Sequence, residues 1–382
     1  MTATSPIDRV VLSHLQVPLK EPFRISGGEV AVKDAILVTV ETASAIGHGE
    51  SSPMAASFGY SADTPEGCWN DLRTSIVPGL VGRTIDSPAA IANLASTWKG
   101  SRFAVAGAET ALWDLLGQEH HATVAQLLGA IDEQVSLGVQ SGLAVGLYPS
   151  IVSLLKTIET HLVEGYCRLK IKIMPGNDIE LVRAVRQHFG EIPLMVDANG
   201  AYTIDDLDTF QALDDFDLLM FEQPMKPGDL DGLSRLQKAV ITPVCLDESA
   251  ETVEQTAEAI RREACRIVNL KVQRVGGLGP ARAIHDLCHQ HGIACWVGAM
   301  PELGIGQAFG IHLATLANCK YPTDVEPSAR WFVDDYVVPA LELSAPGIFT
   351  VPNRPGVGFE IDAAKVRRYQ IRQEEFTSRT SS

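Results

Sequence analysis

The sequence predicts an α/β protein, a (β/α)8-type barrel with an α+β capping domain formed by the N-terminal segment and the C-terminal tail. Three observations predict it. Eight short apolar runs alternate with helical segments between about residue 131 and residue 325, the count of a barrel. Five of those runs carry a charged residue at or next to their C-terminal end, about one β/α unit apart. The first 130 residues run strands first and helices afterwards, as α+β domains do.

The elements follow in order. Residues 9–18, 35–41 and 45–50 have strand composition, the second with clear alternation. Ser87-Pro88 pairs an N-cap with a proline at the first helical position and opens a helix over Pro88–Trp98, and Ala104–Leu116 carries apolar residues at helical spacing. This cap spans 1–130 and the barrel 131–325. The expected barrel strands are Val135–Ser141, Cys167–Ile173, Leu194–Asp197, Leu218–Glu222, Val244–Asp247, Ile267–Lys271, Ala294–Val297 and Tyr321–Val325. Helices are expected between them over Asp178–Phe189, Ile204–Leu213, Leu230–Ala239, Thr252–Glu263 and Pro280–Gln290. The 326–382 tail, broken by Pro339, Pro346, Pro352 and Pro355, is expected to fold back and complete the cap. Gly276, Gly277 and Gly279 follow a strand without the spacing of a dinucleotide fingerprint.

Composition narrows the partners. A formal charge of −16 opposes binding to nucleic acid or an anionic membrane, so neither is expected. The 7 cysteines are scattered without a C-x-x-C pair, which fits a reducing cytoplasm, and no stretch is apolar for long enough to span a bilayer.

Lys172, Asp197, Glu222, Asp247 and Lys271 stand at intervals of 25, 25, 25 and 24 residues. Each therefore sits at the C-terminal end of a successive strand, the barrel end where chemistry is done. Three carboxylates converging on one rim repel unless a cation lies among them, and an all-oxygen set favours a hard ion, Mg2+ or Mn2+. Any one of these acids alone is as readily a helix cap; three in register are a metal site. Lys172 and Lys271, ending strands two and six, face each other across that metal. Two amines so placed can remove a proton α to a carboxylate from one face and return one to the other, with an enediolate between. Lys170, two residues earlier, points to the same interior, where its charge disfavours protonation of Lys172.

The same residues carry a family resemblance. RLKIK (168–172), MVDAN (195–199), FEQP (221–224), CLDES (245–249) and NLKVQRVGGL (269–278) resemble the ordered motifs of the enolase superfamily, in its muconate-cycloisomerase-like subgroup. The resemblance implies Mg2+ at Asp197, Glu222 and Asp247, acid–base roles for Lys172 and Lys271, and ligand-orienting roles for Asn199 and Glu248. PFRIS (22–26), KVQRVGG (271–277), GAMPELGIG (298–306), TDV (323–325) and PGVGFEID (355–362) are similar to the o-succinylbenzoate synthase and N-acylamino acid racemase family. Arg274 stands where muconate cycloisomerases more often have lysine, and Glu326 where dipeptide epimerases usually carry the second acid of a D-x-D. The implied activity is dehydration to o-succinylbenzoate, for menaquinone synthesis, or racemisation of an N-acylamino acid. Cycloisomerisation of muconate and dipeptide epimerisation are the alternatives within the superfamily, and a non-catalytic barrel kept for binding is the alternative outside catalysis. The partner is a small-molecule carboxylate substrate, and the family implies a homo-oligomer.

Further candidates concern the substrate. Glu302 either holds a substrate group or bonds to Lys271. Phe23, Ile25 and Phe58 either line the pocket or belong to local core. The Ser51–Thr64 loop is expected to close over the site, and Pro301 and Leu303, flanking Glu302, depart from the family pattern. His48, His285, His289 and His291 have no supporting motif and are expected to be satisfied or solvated histidines.

Overall fold

The computed structural model describes residues 5–25, 28–55 and 61–377. The cap is an antiparallel sheet in the order Gln370–Thr377, Ile7–Ile25, Gly28–Thr42, Ile46–Ser51. The tail therefore supplies an edge strand, with Arg9 opposite Thr377 and His14 opposite Arg372. The 19-residue helix Arg102–His120 lies directly on Ile46–Ser51. Glycine makes that approach possible: a Cβ on Gly49 would stand 2.2 Å from the Gly107 carbonyl oxygen of the helix. Asp114, buried on the same helix, accepts from His48 N at 2.7 Å and Val357 N at 2.8 Å and so joins helix, sheet and tail.

The barrel contains a seven-stranded parallel sheet in chain order: Leu143–Val145, Leu169–Lys172, Leu194–Asp197, Phe221–Glu222, Val244–Leu246, Ile267–Leu270 and Ala294–Val297. The expected eighth run forms no continuous strand but closes the ring, because Asp324 N donates to Val297 O at 3.0 Å and Thr323 O accepts from Gly142 N at 2.8 Å. Two of the crossover helices begin at clear side-chain caps, with Asp229 accepting from Gly232 N at 2.9 Å and Thr252 from Gln255 N at 3.1 Å.

The first barrel strand is a correction to the sequence reading. Val135 belongs to a short helix, Asp132–Leu137, which Gly138 ends with a positive φ of 74°. Val139–Gln140 then pairs antiparallel with Ile348–Phe349 of the tail, outside the barrel sheet. The barrel strand proper starts after Gly142, where a Cβ would meet the Arg168 guanidinium at 2.5 Å. The ring position of Lys172 is unaffected, since its strand remains the second.

Alternation along the strands sets what lies inside. Met195, Met220, Cys245, Ile267 and Trp296 pack into one buried cluster across the barrel. Two residues above Met195, Met220 and Cys245 stand Asp197, Glu222 and Asp247, and Lys271 is two steps above Asn269, which in turn follows Ile267 by two. The apolar plug thus floors a charged layer. Among the described residues, no helix is long and apolar enough to cross a membrane.

Candidate active site

Strand register delivers the acids to one level: Lys172 pairs with Asp197 and Asp197 with Glu222. All three carboxylates are fully buried. Lys172 Nζ donates to Asp197 Oδ2 at 2.5 Å and to Asn199 Oδ1 at 2.8 Å. Lys170 Nζ stands 3.0 Å from Asp197 Oδ2, 2.7 Å from Glu222 Oε2 and 2.9 Å from Asp324 Oδ2. Lys271 Nζ donates to Asp247 Oδ2 at 2.7 Å, and Arg274 Nε lies 3.3 Å from Asp247 Oδ1. The two lysines meet the cluster from strands that three others separate.

The electrostatics divide the acids. Burial pushes the Asp197 carboxyl up, but the ammonium groups of Lys170 and Lys172 outweigh it and hold it well below the usual range. Burial is outweighed at Asp247 too, by Arg274 and Lys271. At Glu222 burial wins, reinforced by Asp197, and the carboxyl is pushed up. Glu248 moves the same way, through burial and Asp247. Lys170, Lys172, Lys271 and Arg274 face the three acids, so it is burial and the neighbouring carboxylates, not a lack of cations, that set Glu222 apart.

By donor chemistry the three carboxylates fit a hard divalent ion. In this structure the ammonium groups stand among them, and among the described residues no three His, Cys, Asp or Glu side chains are close enough together to grip an ion. Binding one would require Lys170 or Lys172 to draw back from Asp197 and Glu222.

Supporting residues surround the cluster. Asn199 has a positive φ of 43°, which turns its amide to accept from Lys172 while Nδ2 donates to Glu248 Oε1 at 3.4 Å. Three groups escaped the sequence reading. Asn269 Nδ2 donates to Glu222 Oε1 at 2.9 Å. Gln223 Oε1 accepts from Asp247 N at 3.0 Å and Ser249 N at 3.1 Å, fixing the turn that carries Asp247. Asp324 accepts from the buried Arg168 at 2.7 Å as well as from Lys170. Arg168 and Asn269 had a usable signal, since each lies two residues before an inward-facing lysine, Lys170 and Lys271 respectively.

A small cavity of about 50 Å3 lies above the lysines. Lys170, Lys172, Lys271 and Asp324 form its polar end, and Phe23, Trp331, Ala299 and Pro301 its apolar wall. Phe23 is therefore a pocket residue, edge-on to Trp331 with ring centroids 5.0 Å apart. Trp331 comes from the tail and had no sequence signal. Glu302 lies outside the lining: its Oε2 accepts from Met300 N at 2.8 Å. Pro301 faces the cavity, whereas Leu303 is buried and donates its N–H to Glu50 Oε1 at 2.8 Å. Phe58 and the side chain of Ile25 lie outside the described residues, as does the 56–60 part of the Ser51–Thr64 loop. Of the histidines, His48 bonds Thr39 Oγ1 at 3.1 Å, and His285 accepts from Asn318 N at 3.1 Å.

An α+β cap over a barrel whose mouth holds three strand-end carboxylates between two lysines defines an acid–base enzyme of the enolase type. The chain belongs to the enolase superfamily: residues 153–365 match the enolase C-terminal domain-like family, and residues 7–129 match the N-terminal domain of mandelate racemase and muconate lactonizing enzyme. It is 39% identical over 364 residues to an o-succinylbenzoate synthase of Geobacillus stearothermophilus, covering 95% of this chain and 96% of that one. It is also 39% identical over 350 residues to an N-succinylamino acid racemase of Amycolatopsis sp, covering 91% and 93%. Among solved structures, a dipeptide epimerase of Enterococcus faecalis, complexed with Mg and the dipeptide L-Leu-L-Tyr, superposes with a TM-score of 0.85 at 27% identity, covering 93% of this chain and 99% of that one. With such relatives and every ladder residue present, the chain is an enzyme, and a barrel kept only for binding is set aside.

Proposed function

We propose that this protein is a Mg2+-dependent enzyme that abstracts the proton α to a carboxylate, acting as an o-succinylbenzoate synthase, an N-acylamino acid racemase, or both. The observation that carries the reading is the convergence of Lys172 and Lys271 on one carboxylate cluster from strands two and six. Asp197, Glu222 and Asp247 are the proposed ligands of Mg2+, or of Mn2+. The ion would supply the positive charge that makes an enediolate affordable in a buried mouth.

The chain's own residues do the proton work. One lysine, as the free amine, breaks the α C–H bond and keeps the proton, leaving an enediolate. In racemisation the opposite lysine, as the ammonium, protonates the other face of the same carbon. In dehydration the ammonium just formed gives its proton to the departing β-hydroxyl, which leaves as water. Both outcomes share the first step, so one site suits both. Asn199 and Glu248 orient Lys172 and the acids, while Asp324 holds Lys170. Phe23 and Trp331 contact the apolar part of the substrate.

The same reading takes the chain as cytoplasmic and homo-oligomeric, divided into cap (1–130), barrel (131–325) and a tail (326–382) that completes the cap. Incubation in D2O with Mg2+ and an N-succinylamino acid tests the chemistry. Deuterium at the α-carbon together with racemisation is expected. Its absence, with no o-succinylbenzoate formed from the β-hydroxy acid precursor, would refute the reading.

A further inference from the structure

Lys33 lies on the second cap strand, and only 2% of it is exposed. Its Nζ donates to Ser52 O at 2.9 Å and Met300 O at 3.2 Å, with Pro53 O and Met54 Sδ each at 3.4 Å. These are three carbonyls and a thioether, all neutral. Burial pushes the ammonium down to about 8, against the pull of Glu302 and Glu50. A buried charge without a close counter-ion adds little stability, because an apolar side chain of the same volume would fill the space without desolvation cost. Its use lies in what it joins.

Ser52, Pro53 and Met54 form the stalk of the 51–64 loop. Met300 stands between Ala299 and Pro301, both of which line the pocket. The junction is braced on each side: Met300 N donates to Glu302, and Gln273, two residues after Lys271, accepts from Ser52 N at 2.9 Å and donates to Glu50 O at 2.7 Å. One ammonium therefore bridges the cap stalk and the barrel segment that walls the substrate cavity.

We propose that Lys33 is a positioning residue of this site, whose ammonium fixes the pocket-lining 299–301 segment against the Ser52–Met54 stalk and so sets the width of the pocket at that wall. The kinetic part rests on the reaction proposed above; the structural part does not. Lys33→Met is compared with wild type and with Asp114→Asn, a variant of a cap contact that joins His48 and Val357 and does not line the pocket.

In hydrogen–deuterium exchange, Lys33→Met should speed exchange at 52–54 and 299–303 by about tenfold or more, leaving the amides of His48 and Val357 as in wild type. Asp114→Asn should do the reverse. KM for the substrate turned over should rise about tenfold in Lys33→Met, with kcat changed by less than about threefold. Should Lys33→Met not fold, Lys33→Gln, which keeps an N–H donor without the charge, is measured in the same way. Unchanged exchange at both segments, a uniform rise along the chain, or local loosening with an unchanged KM overturns the proposal. Exchange needs no substrate, so a wild type without turnover would refute the proposed reaction while exchange alone decided the role of Lys33.

Discussion

Lys172 and Lys271 close on one acidic cluster from opposite sides, the first 2.5 Å from Asp197 Oδ2 and the second 2.7 Å from Asp247 Oδ2. If they are the acid–base pair, neither can replace the other, because each serves one face of the α-carbon. Lys172→Ala and Lys271→Ala should each lower racemase turnover by about 10³-fold. Mg2+ binding, measured by calorimetric titration, should persist in both, since neither lysine supplies an oxygen ligand. Turnover near the wild-type value in either variant would end the two-lysine scheme.

The crowding of Asp197, Glu222 and Asp247 makes a metal prediction that does not depend on substrate. Glu222 is pushed up by burial and by Asp197, so a cation bound there relieves repulsion in the folded state only. Thermal unfolding of the wild type should shift upward on adding Mg2+, by an amount equivalent to about 3 kcal/mol at a hundredfold excess over Kd. Glu222→Gln should lose most of that shift while unfolding cooperatively in chelator. Turnover should vanish with chelator and return with Mg2+. A Mg2+ shift of the same size in Glu222→Gln would remove Glu222 from the ligand set.

How far the site was legible follows from where its residues lie on the chain. Asp197, Glu222, Asp247, Lys172 and Lys271 recur once per β/α unit, so their spacing alone placed them on one rim. Asn269 and Arg168 follow the same two-residue alternation below Lys271 and Lys170. The ends of the barrel were harder. Val135 lies in a helix because Gly138 ends a turn that its apolar neighbours disguised as strand, and the last run closes the ring through Thr323 and Asp324 without a continuous ladder. Trp331 and Lys33 gave no signal, since their roles arise from tail and cap segments meeting the barrel across long sequence separations.

Phe23 and Trp331 stand edge-on between the inner cavity and an outer groove lined by Lys20, Tyr148 and Arg330. A half-buried aromatic wall of this kind contributes binding to ground state and transition state alike. Trp331→Ala should therefore raise KM by about tenfold with kcat nearly unchanged. Steady-state kinetics with substrates of differing acyl or side-chain size check it, the largest effect being expected for the bulkiest apolar group. A fall in kcat at constant KM would show that the ring acts on the reacting end of the pocket.

His312 supplies a pH prediction away from the chemistry. It is fully buried on the Gly304–Ala314 helix, with Nε2 3.1 Å from Val357 O. Burial pulls its pKa from 6.5 down to about 4, outweighing the carbonyl. Below 6.5 the unfolded chain takes up a proton that the folded chain refuses, so the stability His312 contributes is complete above that pH and is lost as pH falls towards 4. Between pH 7 and 4.5 the loss amounts to about 2 kcal/mol. His312→Gln cannot titrate, so its urea-unfolding free energy should fall by about 2 kcal/mol less than that of the wild type over the same interval. His48, also pulled down to about 4 by burial, remains in both proteins and cancels in the comparison. Equal pH slopes for the two proteins would mean that His312 takes up its proton as readily in the folded state as in the unfolded chain.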